Sequence, residues 1–143
     1  PPPPPPIFFF HAYEGKAYPL WSRGLGDVYK RQALINRMAK QYSIRRSIMA
    51  TAIKKYHLEI AGNTSPQGGS SFWMKAPKKL DTDILASKLI KNGVLIEPGK
   101  NFFAPPDQPE NYFRLAFSSI NEEKIENGIR IVAENIMKLT GSN

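Results

Sequence analysis

The segment that decides the fold is residues 111–120, NYFRLAFSSI. A strand here directs Phe113, Leu115 and Phe117 to one face and leaves Arg114 on the other, because successive side chains of a strand alternate. Leaving an arginine buried without a partner is costly. Arg114 is therefore expected to pair with an acidic residue of the same fold, to lie on an open sheet face, or to hold a carboxylate with its planar fork.

Helices and further strands surround this segment in a regular order. From Ala33 onward the apolar spacing predicts helix, strand, strand, helix, strand, strand and helix. We expect an α+β fold in which a small, mainly antiparallel sheet has its helices packed on one face. The predicted helices are 33–57, 81–92 and 121–140, and the predicted strands are 58–60, 71–76, 94–96 and 112–117, with one more extended piece at 101–103.

The first 32 residues differ from the rest in composition. Six prolines are followed by Ile7 and three phenylalanines, and residues 24–32, GLGDVYKRQ, resemble a translated adapter read from assembled environmental sequence. A Pro-rich linker or partner-binding tail is the alternative interpretation. We divide the chain into 1–32, a disordered or artefactual tail, 33–57, a long amphipathic helix leading into the domain, and 58–143, the small domain. This interpretation implies truncation near Gln32.

Composition and charge exclude several classes of function. The 143 residues include no Cys, which excludes disulfides, thiolate nucleophiles and Cys-ligated zinc. The positive excess is concentrated in residues 33–59, where a solvated helix face is expected, with a DNA- or membrane-binding face as the alternative. No apolar run approaches the ~20 residues of a membrane span. We expect a soluble, cytoplasmic protein without membrane contact.

The residues capable of catalysis are few. The chain has two histidines, of which His11 falls in the tail and His57 stands alone at a predicted helix end. No metal-ligand spacing and no Ser-His-Asp set can be assembled. Glu97, just before Pro98, is either an acid/base or an ordinary carboxylate at the edge of a turn. We therefore expect no catalytic residue and no metal ligand.

Several motifs together resemble one family in order and spacing. They are residues 68–73 (GGSSFW), 80–82 (LDT), 93–99 (GVLIEPG), 102–103 (FF) and 111–120. The family is the C-terminal small domain of the class I/II, fold-type I pyridoxal-phosphate aminotransferases. The 93–99 and 111–120 runs look most like the MocR-like branch, bacterial regulators that fuse a GntR-type winged helix to an aminotransferase-like domain. The resemblance covers about residues 34–139.

The resemblance implies a role for one residue and a set of partners. Arg114 matches the family arginine that grips the α-carboxylate of an amino-acid substrate or effector. Pyridoxal phosphate is implied as the cofactor of the intact parent, held by a large domain that carries the Schiff-base lysine, and none is expected for this fragment. The resemblance also implies a homodimeric parent, an amino-acid ligand, and DNA contact only through an absent N-terminal winged helix.

Three functions follow from these expectations. The first is a fragment of a MocR-like transcriptional regulator that senses an amino acid or pyridoxal phosphate. The second is a fragment of a true aminotransferase, which transfers an amino group from a 2-amino acid to a 2-oxo acid. The third is a stand-alone binding module that uses its basic helix and Pro-rich tail. Without the Schiff-base lysine, the fragment alone is not expected to transaminate.

Overall fold

The described part of the chain contains a four-stranded antiparallel sheet, a separate pair of parallel strands and three α-helices. The computed structural model describes residues 7–8, 25–62 and 69–141. The elements are β1 (Ile7–Phe8), α1 (Leu25–Lys55), β2 (Glu59–Ile60), β3 (Ser71–Lys75), α2 (Thr82–Lys91), β4 (Val94–Leu95), β5 (Glu97–Pro98), a 3₁₀ turn (Lys100–Phe102), β6 (Tyr112–Ala116) and α3 (Glu122–Thr140).

The sheet has the strand order β2-β3-β6-β5, and each neighbouring pair runs antiparallel. The longest pairing joins β3 to β6, with Phe72 opposite Leu115 and Met74 opposite Phe113. A separate parallel pair joins β1 to β4. The expected α+β fold with a small, mainly antiparallel sheet is confirmed.

One face of the sheet carries the hydrophobic core. Alternate residues of β3 and β6 are buried there, because directly opposed strand residues share a face. All three helices contribute to the same cluster, which confirms that the helices cover one face. The most deeply buried members are Met49 of α1, Met74 of β3, Leu85 and Leu89 of α2, Phe113 and Leu115 of β6, and Ile125, Ile129 and Val132 of α3.

Local signals set the ends of α2. Asp81 lies at the N-cap in an extended conformation, and its side chain accepts a hydrogen bond of 2.9 Å from the Asp83 backbone N–H. Gly93 follows the helix with φ of 79°, a left-handed conformation that glycine adopts without steric cost. In α3, Asn121 occupies the N-cap position, but its side chain makes no capping hydrogen bond.

The helix α1 differs most from expectation. It begins at Leu25 rather than at residue 33, so residues 25–32 of the predicted tail continue the helix. The side chains of Ile35 and Met38 are 50% and 41% exposed, although their spacing predicted a buried stripe. Among the described residues, those of α1 that pack against the core begin at Tyr42, and the first half of the helix is mostly exposed. The rest of the tail lies outside the described residues, apart from β1.

The C-terminal half of α1 is fixed to the sheet. The Arg45 guanidinium donates a hydrogen bond to the Ser118 carbonyl just after β6. Arg46 places its guanidinium 5.0 Å from the centre of the Phe72 ring, a cation–π contact. No helix of the described ranges combines the length and the apolar character needed to cross a membrane.

The segment after β5 is a 3₁₀ turn, not the extended piece that was expected at 101–103. The Phe102 N–H donates to the Gly99 carbonyl at 3.0 Å, and the Phe103 N–H donates to the Lys100 carbonyl at 3.2 Å. These tight turns bring both phenylalanine rings against Trp73 of β3. Residues 63–68, between β2 and β3, lie outside the described part.

Adjacent residues of α2 provide a matched test of the core. Leu89 is fully buried, whereas Ile90 is 56% exposed. We expect Leu89→Ala to lower the free energy of unfolding by about 2–5 kcal/mol, because it removes buried methyl groups and leaves a cavity. Ile90→Ala should change it by less than about 1 kcal/mol. Urea denaturation followed by circular dichroism measures both, and equal losses would contradict this assignment of the core.

Candidate functional site

Arg114 lies at the centre of the sheet face that the helices leave uncovered. It belongs to β6, whose neighbouring residues Phe113 and Leu115 point into the core. The strand register places it between Trp73 of β3 on one side and Glu97 of β5 on the other. The side chain is 32% exposed, so its guanidinium is accessible to a ligand on a rigid strand.

Glu97 is the acidic partner of Arg114. Its Oε2 lies 2.5 Å from Arg114 Nη2, and the Glu97 side chain is 31% exposed. Neither Glu97 Oε2 nor Arg114 Nε takes part in a hydrogen bond among the described residues, although both atoms are buried. The two charges are thus in contact without an aligned hydrogen bond, and the Nε donor is unused.

Aromatic rings form the wall beside Arg114. The centre of the Phe102 ring lies 5.8 Å from Arg114 Cζ, and Phe102 meets Trp73 edge-on at 5.6 Å. Trp73 also stacks on Tyr112, with ring centres 5.7 Å apart and planes 16° from parallel. A pocket of about 350 Å³ opens here, lined by Trp73, Phe102, Phe103 and Arg114.

Gly99 lets Trp73 reach its position. Its N–H donates to the Tyr112 carbonyl at 2.7 Å, which holds the turn after β5 against β6. A β-carbon added to Gly99 would lie 2.7 Å from that carbonyl oxygen and would overlap the Trp73 ring. A glycine is required here by close packing, not by an unusual φ angle.

Away from this pocket, Lys55 of α1 meets Glu126 of α3. Their hydrogen bond, followed by their charge attraction, raises the pKa of Lys55 and lowers the pKa of Glu126. The lowered Glu126 pKa means that this pair adds stability at neutral pH and loses it as the pH falls through that pKa. Both side chains are more than half exposed, so the pair is a weak link between the helices.

The pocket around Arg114 lacks the groups that would hold pyridoxal phosphate. The pocket that holds Arg114 is lined by no lysine for a Schiff base and by no serine or threonine for a phosphate. His57, the histidine that the sequence placed at a helix end, is exposed at the end of α1 with φ of 57°. Across residues 7–8, 25–62 and 69–141, no three acidic or histidine side chains converge as metal ligands would.

The structure is an α+β domain whose open sheet face carries an arginine beside an aromatic wall. This arrangement places the chain in the class of aminotransferase-like small domains. Known proteins support this class. The chain is 48% identical over 101 residues to the HTH-type transcriptional regulator TauR of Rhodobacter capsulatus, covering 71% of this chain and 21% of the regulator. It is 35% identical over 102 residues to aromatic-amino-acid aminotransferase 1 of Thermococcus litoralis, covering 71% and 24%.

A solved structure agrees with these relatives. The kynurenine aminotransferase of Pyrococcus horikoshii superposes with a TM-score of 0.62 at 33% identity, covering 69% of this chain and 24% of that one. No model of a protein family matches the chain. The chain spans between a fifth and a quarter of the length of these relatives. It belongs to the fold-type I aminotransferase family, which includes the MocR-like regulators.

Of the three expectations for Arg114, pairing with an acidic residue of the same fold is the one that the structure shows, although the sequence did not identify which residue it would be. The structure brings Arg114 together with Glu97, which the sequence left as a turn-edge carboxylate or an acid/base. Trp73 and Phe102 were recognised only as parts of extended segments. Their meeting depends on strand register and on the turn at Lys100–Phe102, and neither has a local sequence signal. The position of Glu97 directly before the turn residues Pro98-Gly99 was the one sequence feature that drew attention to this carboxylate.

Gly99→Ala tests whether the turn positions the aromatic wall. The added methyl must displace Trp73 or open the Gly99–Tyr112 hydrogen bond, so we expect a loss of about 1–3 kcal/mol in unfolding free energy. The near-UV circular dichroism of the aromatic rings should weaken as well. Gly26→Ala is the matched control, because a β-carbon there meets nothing within 4 Å. An unchanged aromatic signal in Gly99→Ala would show that the contact does not position Trp73.

Proposed function

We propose that this domain binds the carboxylate of an amino-acid ligand through Arg114, as part of a MocR-like transcriptional regulator. The observation that carries the proposal is the placement of Arg114 on a rigid strand, half-buried in a pocket, with a buried Nε donor that no described group uses. A planar guanidinium in such a position suits a carboxylate better than an ammonium group would. A fixed cation also orients the ligand bound to it.

The regulator is favoured over the enzyme by the relatives. Identity to the transcriptional regulator is 48%, against 35% for the aminotransferase over nearly the same length. In such a regulator the domain would work together with a large pyridoxal-phosphate domain in a cytoplasmic homodimer, and a winged helix would contact DNA. The domain itself supplies the carboxylate-binding arginine and no catalytic group.

A true aminotransferase is the second candidate, since several relatives carry that name. A long sequencing read through the codons of Gln32 and Ala33 distinguishes the candidates. An upstream frame that encodes a winged helix and then a large domain supports the regulator, and a large domain without a winged helix supports the enzyme. A read that confirms residues 1–32 as encoded would favour the stand-alone binding module instead.

Carboxylate binding can be measured on the chain itself. In a Trp21→Phe background, Trp73 is the remaining tryptophan and lines the pocket, so its fluorescence reports occupancy. We expect 3-phenylpropionate to bind with a dissociation constant of about 1 mM, as one ion pair and one ring contact would give. Arg114→Gln should weaken this binding about tenfold or more, because it removes the charged donors.

Arg130→Gln is the matched control for Arg114→Gln. Arg130 also pairs with a glutamate, Glu134 at 2.6 Å, but it lies on α3 away from the pocket. The control should bind 3-phenylpropionate with the same dissociation constant as the parent chain. Thermal unfolding should show that both variants fold. If Arg114→Gln bound 3-phenylpropionate as tightly as the control, Arg114 would not be the carboxylate site.

A further inference from the structure

Glu97 contacts part of the guanidinium group that a carboxylate ligand of Arg114 would bind. Its Oε2 lies 2.5 Å from Arg114 Nη2, in the row that runs across the open sheet face from β5 to β3. The Nε of the same guanidinium is buried without a hydrogen bond, so a carboxylate that seeks two parallel donors must share or displace the Glu97 contact. This carboxylate is therefore an internal competitor for the arginine.

We propose that Glu97 is a specificity-determining residue of the Arg114 site. It selects ligands that carry one carboxylate and an apolar or aromatic group, and it disfavours ligands that carry two carboxylates. The inference rests on the proposed function, because it assigns a substrate class to the same pocket. It adds a residue and a selection rule that carboxylate binding by Arg114 alone does not contain.

Charge explains the selection against dicarboxylates. Arg114 and Glu97 together carry no net charge, so an anion entering the pocket meets attraction and repulsion at almost the same distance. A single carboxylate gains from taking over the guanidinium donors. A second carboxylate finds no further cation lining the pocket. It is repelled instead by Glu97, which does not line the pocket itself but lies directly behind the guanidinium, with its Oε2 2.5 Å from Arg114 Nη2. Because both groups are only about one-third exposed, water screens this repulsion incompletely.

The apolar requirement comes from the aromatic wall. Three of the four residues that line the pocket are aromatic, and the Phe102 ring lies 5.8 Å from Arg114 Cζ. Phe102 is 54% exposed, so a ligand group placed on its ring removes apolar surface from water. A small carboxylate without an apolar group gains only the weakened ion pair. Both features of the pocket therefore favour the same ligand class.

The test compares probes of different charge and polarity on the full chain in the Trp21→Phe background. The probes are 3-phenylpropionate, acetate, succinate and benzyl alcohol, followed by Trp73 fluorescence and by chemical-shift changes of the backbone amides around Arg114. The main variant is Glu97→Gln, which removes the competing charge and keeps the shape of the side chain. A second variant, Glu97→Asp, keeps the charge and shortens the side chain.

Glu110→Gln is the matched control. It removes a charge of the same sign from a more exposed ion pair, Lys100 to Glu110 at 3.5 Å, and Glu110 is not the partner of Arg114. In the parent chain we expect 3-phenylpropionate to bind at least tenfold more tightly than acetate, succinate or benzyl alcohol. Glu97→Gln should raise affinity for 3-phenylpropionate about fivefold. It should raise affinity for succinate by a larger factor, whereas Glu97→Asp and Glu110→Gln should keep the parental preference.

The outcomes separate this inference from the proposed function. If 3-phenylpropionate binds and Arg114→Gln abolishes binding, but Glu97→Gln leaves the preference over succinate unchanged, then the role of Glu97 is wrong and the carboxylate site stands. The role of Glu97 is equally wrong if Glu110→Gln relaxes the preference as much as Glu97→Gln does. Acetate binding as tightly as 3-phenylpropionate would overturn the apolar requirement. If no carboxylate binds to any chain that thermal unfolding shows to be folded, the proposed function fails.

Discussion

The antiparallel pairing of β3 with β6 is the interaction on which the rest of the structure depends. Its five residue pairs hold Phe72 and Met74 opposite Leu115 and Phe113 on the core face. The same register places Trp73 opposite Arg114 on the other face. Because side chains alternate with a period of two, a slip of one residue would turn Arg114 into the core and expose Phe113. Burial of the apolar face therefore fixes the position of the arginine.

Site and core are coupled through the turn after β5. Gly99 bonds to the Tyr112 carbonyl on β6 and lies beneath the Trp73 ring, so the short β5 strand cannot move away from β6 without disturbing the aromatic wall. Glu97 lies two residues earlier in the same segment, and Phe102 lies three residues later. One tight turn thus positions both the acidic partner and the exposed ring close to the guanidinium. The pocket needs no helix to support it, which leaves the helices free to cover the opposite face.

The sequence predicted those features that depend on neighbouring residues. Alternation in residues 111–120 predicted both faces of β6, and the predicted bounds 81–92 agree with α2 and its two capping residues, because capping and turn preferences act over a few residues. Mainly antiparallel pairing followed from the order of the predicted elements. Local patterns also singled out Arg114, since an arginine inside an apolar strand must find a partner.

The features that could not be predicted depend on distant contacts. The pairing of Glu97 with Arg114 requires the register between β5 and β6, which joins residues 17 positions apart and leaves no periodic trace. The turn at Lys100–Phe102 forms where its rings can pack on Trp73, a residue of a distant strand. The apolar stripe predicted α1 correctly as a helix. The spacing of its apolar residues could not reveal that Ile35 and Met38 are exposed, because burial depends on which other elements pack against the helix.

Because the pocket is open to solvent, water limits how strongly Glu97 can repel a ligand. In the described domain the pocket is walled by the sheet and the aromatic rings and is otherwise open, so water weakens both the attraction of a ligand to Arg114 and its repulsion by Glu97. Relatives of this chain are four to five times longer than the matched segment, and a larger protein that enclosed the pocket would lower the local dielectric constant. Attraction and repulsion would then strengthen together. Enclosure would therefore sharpen the preference for one carboxylate over two without reversing it, because the two opposing charges are both built into this domain.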